Sequence, residues 1–222
     1  MLEMPDEYHR QRATMVEHQL RRRDIHDARV LAAMGSVQRH LFVPEHLRHE
    51  AYGDGALPIG EGQTISQPYM VAATCQAAGL RGGERVLEVG AGSGYQAAVL
   101  GRLAREVVAI ERIPVLADRA RLNLAAAGID NVEVILGDGS KGWPARAPYD
   151  CILVAAGAPA IPSALLDQLA EPGRLVIPVG RRDMQRLTIV ERLGPDTYRE
   201  IEGPACVFVP LVGEQGWRDE PG

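Results

Sequence analysis

The chain has 222 residues, a length that fits one large domain or one domain with a modest extension and can bury a core without disulfide or metal staples. Hydrophobic residues make up 46% and charged residues 24%, with 24 basic side chains against 29 acidic ones for a net charge of -5, which excludes a disordered tail protein and argues against nucleic acid or an anionic membrane as the main partner. No apolar run approaches the roughly 18 residues of a membrane span, and acids and arginines stand where a signal peptide would be apolar, so a cytoplasmic protein is expected.

Residue placement narrows the chemistry. Cys75, Cys151 and Cys206 lie too far apart for a metal or redox spacing and read as small buried hydrophobes, so no metal site is expected. All 6 histidines precede residue 50 and Lys141 is the sole lysine. A mechanism built on a catalytic His or Lys in the middle of the chain is therefore nearly excluded.

In chain order, the first 80 residues read as a helical cap: a helix from Asp6 to about Arg23, a second from Ala28 to Met34 with Asp27 as N-cap, and a short one from Pro44. The segment from Gly53 to Pro68 is rich in Gly, Pro and hydroxyls, has no periodicity, and reads as a functional loop. From residue 85 the apolar runs RVLEV, VVAIE, VEVIL, CILVAA and RLVIPV start 22, 25, 19 and 23 residues apart, the length of a strand, a loop and a helix. Pro114 to Ala127, closed by Gly128, and Pro162 to Leu169 supply two of the intervening helices. The fold class expected is α/β: a Rossmann-like, doubly wound, mostly parallel sheet. RLTIVERL (186–193) and CVFVPL (206–211), joined by a Gly-Pro-Asp turn region, should be antiparallel partners at one edge. The chain reads as a single domain, with a cap and loop over 1–80, an α/β core over 81–212 and a tail over 213–222.

The chemistry concentrates where strands end. Gly90, Gly92 and Gly94 follow the first strand and open a helix at Tyr95, so the backbone can approach a ligand and the helix N-terminus offers free N–H groups. A tight turn without a ligand would have the same glycines. Glu111 closes the second strand 21 residues after Gly90, where an acid can accept from both ribose hydroxyls, or can simply be a solvated strand end. Asp138, in Gly137-Asp138-Gly139, is a third acid at the same edge. Tyr95 stands where a dinucleotide fingerprint needs its third glycine, and Glu88 just before the loop suits a ligand bearing positive charge, so S-adenosylmethionine is favoured over NAD.

LPIGEGQTISQPYMV (57–71), VLEVGAGSGYQAAVL (86–100), VVAIER (107–112), NVEVILGDGSKGWPARAPYD (131–150) and LVIPVG (175–180) together closely resemble the protein-L-isoaspartate (D-aspartate) O-methyltransferases, over about Arg21 to Pro210. The resemblance implies methyl transfer from S-adenosylmethionine to the free carboxylate of L-isoaspartyl residues in damaged proteins and peptides, giving an ester that cyclises to a succinimide. It further implies Ser66 as the active-site serine. Thr64, Ile65, Gln67 and Tyr69 are then placed near the cofactor, with Glu88, Gly90, Gly92 and Gly94 around its methionine part, Glu111 at the ribose and Asp138 at the adenine, and Arg112 and Gly139 complete the cofactor-binding residues. Read as a residue alone, Ser66 could instead cap the helix starting near Pro68, and Trp143 could be core packing. Val212 stands where some relatives have Thr. A monomer is expected. Two other readings remain open on the residues: a methyltransferase for a base or small molecule, and a non-catalytic nucleoside-binding module.

Overall fold

The computed structural model describes residues 7–218, so the expected helix start at Asp6 and the last four residues of the tail lie outside the described residues. The cap begins with α1 (Glu7–Met15), whose path widens into a π-helical stretch, Val16–Arg21, that buries Leu20. In α2 (Ala28–Ser36) the Asp27 carboxylate accepts from the backbone N–H groups of Arg29 and Val30, the cap its position implied. Short 3-10 turns follow at Arg39–Phe42 and Glu45–Glu50.

The segment read as an aperiodic loop contains a small hairpin, β1 (Leu57–Gly60) and β2 (Gln63–Ile65). Its turn is Glu61-Gly62, and Glu61 itself has a positive φ of 53°. Two strands of three and four residues are too short to show alternation, which is why the sequence pattern missed them. α3 (Pro68–Ala78) leads from the hairpin into the sheet.

The five apolar runs form the parallel strands β3 (Arg85–Val89), β4 (Glu106–Glu111), β5 (Val132–Leu136), β6 (Tyr149–Val154) and β7 (Leu169–Arg181). With β8 (Met184–Gly194) and β9 (Thr197–Cys206) they make one sheet of order β5-β4-β3-β6-β7-β8-β9. The chain winds outward from β3 to β5, then returns to place β6 on the other side of β3, so the strand order reverses between β3 and β6. Such a reversal leaves a crevice at the carboxyl ends of the strands, where open α/β sheets bind ligands.

One face of the sheet is covered by α4 (Tyr95–Gly101), α5 (Pro114–Ala126), α3 and the cap, through a single apolar cluster that runs from Met15 and Leu20 to Val86, Val99 and Leu153. The other face is covered thinly, by α6 (Ser163–Leu166), two 3-10 turns and chain segments bearing Trp143 and Leu211. The helix expected to reach Leu169 stops at Leu166 because Leu169 already pairs with Tyr149 in the sheet. The Gln168 side chain fixes that exit, donating to the Ala164 and Lys141 carbonyls and accepting from the Trp143 N–H.

One pairing differs from expectation. β8 is antiparallel to residues 197–206, with Gly194 opposite Thr197 across a Pro195-Asp196 turn, and CVFVPL contributes only Cys206 to that strand. The partner, TYREIEGPAC, is polar and almost wholly exposed, as an outermost strand can be. The apolar run instead crosses the carboxyl edge of the sheet, where the Gly157 N–H donates to Val209 and the Leu211 N–H donates back to Gly157. It covers the crevice. All three cysteines are free and buried, and burial pushes the Cys151 thiol up to about 12 and Cys206 to about 11.

Candidate active site

A cavity of about 300 Å³ opens at the β3/β6 reversal. Its floor is the glycine loop. Gly90 has a φ of 91°, and a Cβ there would lie 3.7 Å from the Ala155 side chain at the end of β6, so the loop runs close to the neighbouring strand. The N–H groups of Gly90 and Ala91 both donate to the Ile110 carbonyl, at 2.9 and 3.0 Å, which ties the loop to the end of β4.

Glu111 completes that tie. One carboxylate oxygen accepts from the Gly92 N–H at 2.8 Å and the other from the Ile113 N–H at 3.0 Å, while the side chain stays on the cavity wall. Each oxygen keeps a lone pair for a ligand. This is neither a solvated strand end nor a spent acid.

Glu88, on β3, is completely buried, and neither of its oxygens has a hydrogen-bond partner of normal geometry. Burial holds its pKa well above the ordinary carboxylate range. The Gln96 amide offsets this in part and the charge of Glu111 reinforces it. Burial thus disfavours the negative charge that residue type alone would assign to this acid.

Across the floor stand Gln63, Thr64, Ile65 and Ser66 of the hairpin. α3 has Gln67 as its N-cap residue and no side chain caps it, so Ser66 is not spent on the helix and stays on the cavity wall. The Arg119 guanidinium anchors the hairpin at the Ile59 carbonyl. Gln67 and Tyr69 lie outside the lining. Gln67 donates to the Asp54 carboxylate at 2.7 Å, and Tyr69 carries the Arg23 guanidinium 3.9 Å above its ring. Gly94 also lies off the wall, capping α4 where a Cβ would come within 3.3 Å of the Ala120 carbonyl.

Arg112 and Gly139 reach the cavity, and Asp138 lies just beyond, in a second hollow that shares Arg112 and Val212 with the first. One Asp138 oxygen accepts from the Ser140 N–H and hydroxyl, at 2.9 and 2.7 Å, and the other from the Glu214 N–H at 2.8 Å. Burial alone would raise its pKa, but those donors hold it below the usual carboxylate value. The Glu214 bond belongs to a strap, residues 213–217, that passes over this end of the site. The Gln215 N–H donates to Ser140, and the Trp217 indole N–H donates to the Gly157 carbonyl at 3.0 Å.

Several wall residues escaped the sequence reading. Ala155 and Ala156 end the fourth apolar run, and their place beside β3 follows only from the strand order. Val209 to Leu211 reach the wall because the CVFVPL run leaves the sheet edge, beside Val212, and Tyr95 and Gln96 because α4 opens toward the crevice. Trp143 packs against the apolar face behind α6, as the packing alternative held. His40 stacks on Tyr8 and shares a 2.8 Å hydrogen bond with the Tyr52 hydroxyl, away from the lining.

A reversed strand order with a glycine loop at its centre, and an acid at the end of the next strand that holds the loop, defines an α/β protein of the nucleoside-binding methyltransferase class. The family model described as Protein-L-isoaspartate(D-aspartate) O-methyltransferase matches residues 10–216. A protein-L-isoaspartate O-methyltransferase of Methanoculleus marisnigri is 54% identical over 216 residues, 97% of each chain. One from Rhodopseudomonas palustris is 56% identical over 208 residues, covering 93% of this chain and 85% of the relative. A solved protein-L-isoaspartate O-methyltransferase superposes with a TM-score of 0.82 at 29% identity, over 92% of this chain and 67% of the other. A Plasmodium falciparum beta-aspartate methyltransferase, solved in complex with S-adenosyl-L-homocysteine, gives 0.78 at 27% identity over 90% and 98%. The chain belongs to the protein-L-isoaspartate O-methyltransferase family.

Proposed function

We infer that the cavity is where this chain brings S-adenosylmethionine and the free carboxylate of an L-isoaspartyl residue together, methylating damaged proteins and peptides for repair. The observation that carries this reading is that the hairpin serine, Ser66, and the ribose-type acid, Glu111, line one cavity at the sheet's reversal point. The residues fit the cofactor: Glu111 keeps an accepting position on each oxygen, a partnerless acid is buried next to the glycine loop, and the loop lets a ligand approach the backbone. Glu111 would hold the ribose hydroxyls, Gly90 and Gly92 the methionine end with Glu88 beneath it, and Asp138 and Gly139 the adenine. Thr64, Ile65 and Arg112 enclose the cofactor. Gln67, Tyr69 and Gly94 support the wall from behind.

When bound, S-adenosylmethionine supplies a methyl group on a positively charged sulfur, open to in-line attack. The chain's own residues have three tasks. They align the acceptor, and the Ser66 hydroxyl can donate one hydrogen bond to a carboxylate oxygen. They exclude water, through Ile65, Val71, Leu211 and Val212 on the cavity wall, because a dry site no longer solvates the charges that cancel during transfer. They move no proton: a carboxylate with a reference pKa near 4 is already ionised at neutral pH.

A cytoplasmic monomer is the accompanying reading. Among the described residues no helix is long and apolar enough to cross a membrane, and the acidic balance does not suit nucleic acid. Incubation with methyl-labelled cofactor and an isoaspartyl peptide tests the assignment, and transfer to the peptide is the expected result. A protein that binds the cofactor but methylates only a base or a small molecule would contradict it.

A further inference from the structure

Two wholly buried ionisable side chains keep polar atoms without a hydrogen-bond partner among the described residues, and each sits behind one of two consecutive residues that line the cavity. Glu88 is the first, beside Gln96. Arg39 is the second, beside Tyr95. Its guanidinium carbon lies 4.7 Å from the Tyr95 ring centroid, and its Nε donates to the Ala51 carbonyl at 2.7 Å. Nη1 and Nη2 have no hydrogen-bond partner among the described residues, and the side chain has no exposure to solvent. Burial pulls its pKa below the ordinary arginine value, opposed by the Tyr95 and Tyr52 hydroxyls. Tyr95 cannot be the counterion, since burial pushes its hydroxyl up to about 12.

A wholly buried cation with incompletely satisfied donors is costly to a fold, and space behind a tyrosine is better filled by an apolar side chain. Phe42 and Met34 already do so, with the Phe42 ring 5.6 Å from that of Tyr95 and the Met34 sulfur 3.8 Å from its hydroxyl. A choice that breaks the local rule in this way is expected where function requires it. The methionine end of S-adenosylmethionine carries an ammonium and a carboxylate on one carbon. A buried acid behind one wall residue and a buried cation behind the next is the complementary arrangement.

We propose that Arg39 is a positioning residue of the cofactor site, acting from behind Tyr95 on the carboxylate of the cofactor's amino-acid head as the counterpart of Glu88 on its ammonium. The proposal rests on the S-adenosylmethionine reading above. A peptide acceptor also brings a carboxylate, so the test must separate the two sources.

The test is Arg39→Met, read by calorimetry and thermal unfolding rather than by turnover alone. Without ligand, the variant should unfold at the wild-type temperature or above it, because a wholly buried charge has been replaced by an apolar chain of similar length. Its affinity for S-adenosylhomocysteine should fall about tenfold, while its affinity for decarboxylated S-adenosylmethionine and its KM for an isoaspartyl peptide stay at wild-type values. Equal loss for both cofactor forms, or loss for neither, would overturn the proposal, as would a change confined to the peptide KM. Should the Met variant fail to fold, Arg39→Gln is measured on the same pair of ligands and the ratio of the two affinities decides. A wild-type protein that binds neither ligand would instead contradict the cofactor reading.

Discussion

The two halves of the cavity are built differently. The glycine-loop half is held by the sheet itself: backbone N–H groups of Gly90, Ala91 and Ala155 donate to carbonyls of neighbouring strands, and Glu111 closes the loop with two more bonds. The facing half, formed by the β1–β2 hairpin, is tied to the rest of the fold by a side chain, the Arg119 guanidinium on the Ile59 carbonyl. A half fixed by backbone bonds suits an invariant ligand such as a nucleoside. The hairpin half carries Ser66, the residue that faces the acceptor in this reading.

That division predicts that cofactor binding and acceptor alignment can be damaged separately. Glu111→Ala should show the larger effect, weakening S-adenosylhomocysteine by about ten- to a hundredfold, since a hydrogen bond to a charged group contributes roughly 1.5–3 kcal/mol. The ratio of isoaspartyl to aspartyl turnover should not change, because this acid belongs to the nucleoside half. Normal cofactor affinity in this variant, measured by calorimetry, would remove Glu111 from the ribose site. Ser66→Ala should do the converse. Turnover falls about tenfold for one lost orienting hydrogen bond of about 0.5–1.5 kcal/mol, while cofactor affinity is retained. If affinity fell with turnover, the two halves would not be separable.

The legibility of the sequence follows the same division. Strand ends in a parallel sheet announce themselves, because each buried strand is a continuous apolar run and the residue after it must lie at the carboxyl edge; Gly90, Glu111 and Asp138 could be placed without coordinates. The hairpin has no such signature, and only family resemblance pointed to Ser66. Val209 to Leu211 read as part of a strand because an apolar run that covers a cavity has the same pattern as one that pairs in a sheet. Arg39 was invisible, since nothing in QRHLFVP distinguishes a buried arginine from an exposed one. The shift at Glu88 was equally hidden: residue type gives an acid, and only burial pushes its pKa up.

Glu88 yields a smaller effect that sharpens the account of the floor. Its folded pKa is raised, so between the unfolded value near 4.3 and that raised value the native state holds a proton that the unfolded state has lost. Its contribution to stability is full below the unfolded value and is lost as pH rises through the folded one. Glu88→Gln should therefore flatten the decline of unfolding free energy with pH by up to about 1.4 kcal/mol per unit over that window, as read by denaturant titration. An unchanged slope would mean that Glu88 is ionised in the native protein. The smallest expected effect is none at all. With cofactor saturating, turnover should be nearly flat from about pH 6 to 8, and His40→Gln, His46→Gln and His49→Gln should leave it so, because the transfer needs no base. An acid limb that disappears in one of these variants would make that histidine catalytic.

The central claim is that this cavity aligns one particular carboxylate. It is tested most directly by following methyl label from S-adenosylmethionine into an isoaspartyl peptide and into its aspartyl twin, which differ only in where the carboxylate leaves the backbone. Base-labile methyl ester is expected on the isoaspartyl peptide and essentially none on the twin. Equal labelling of the two would contradict it.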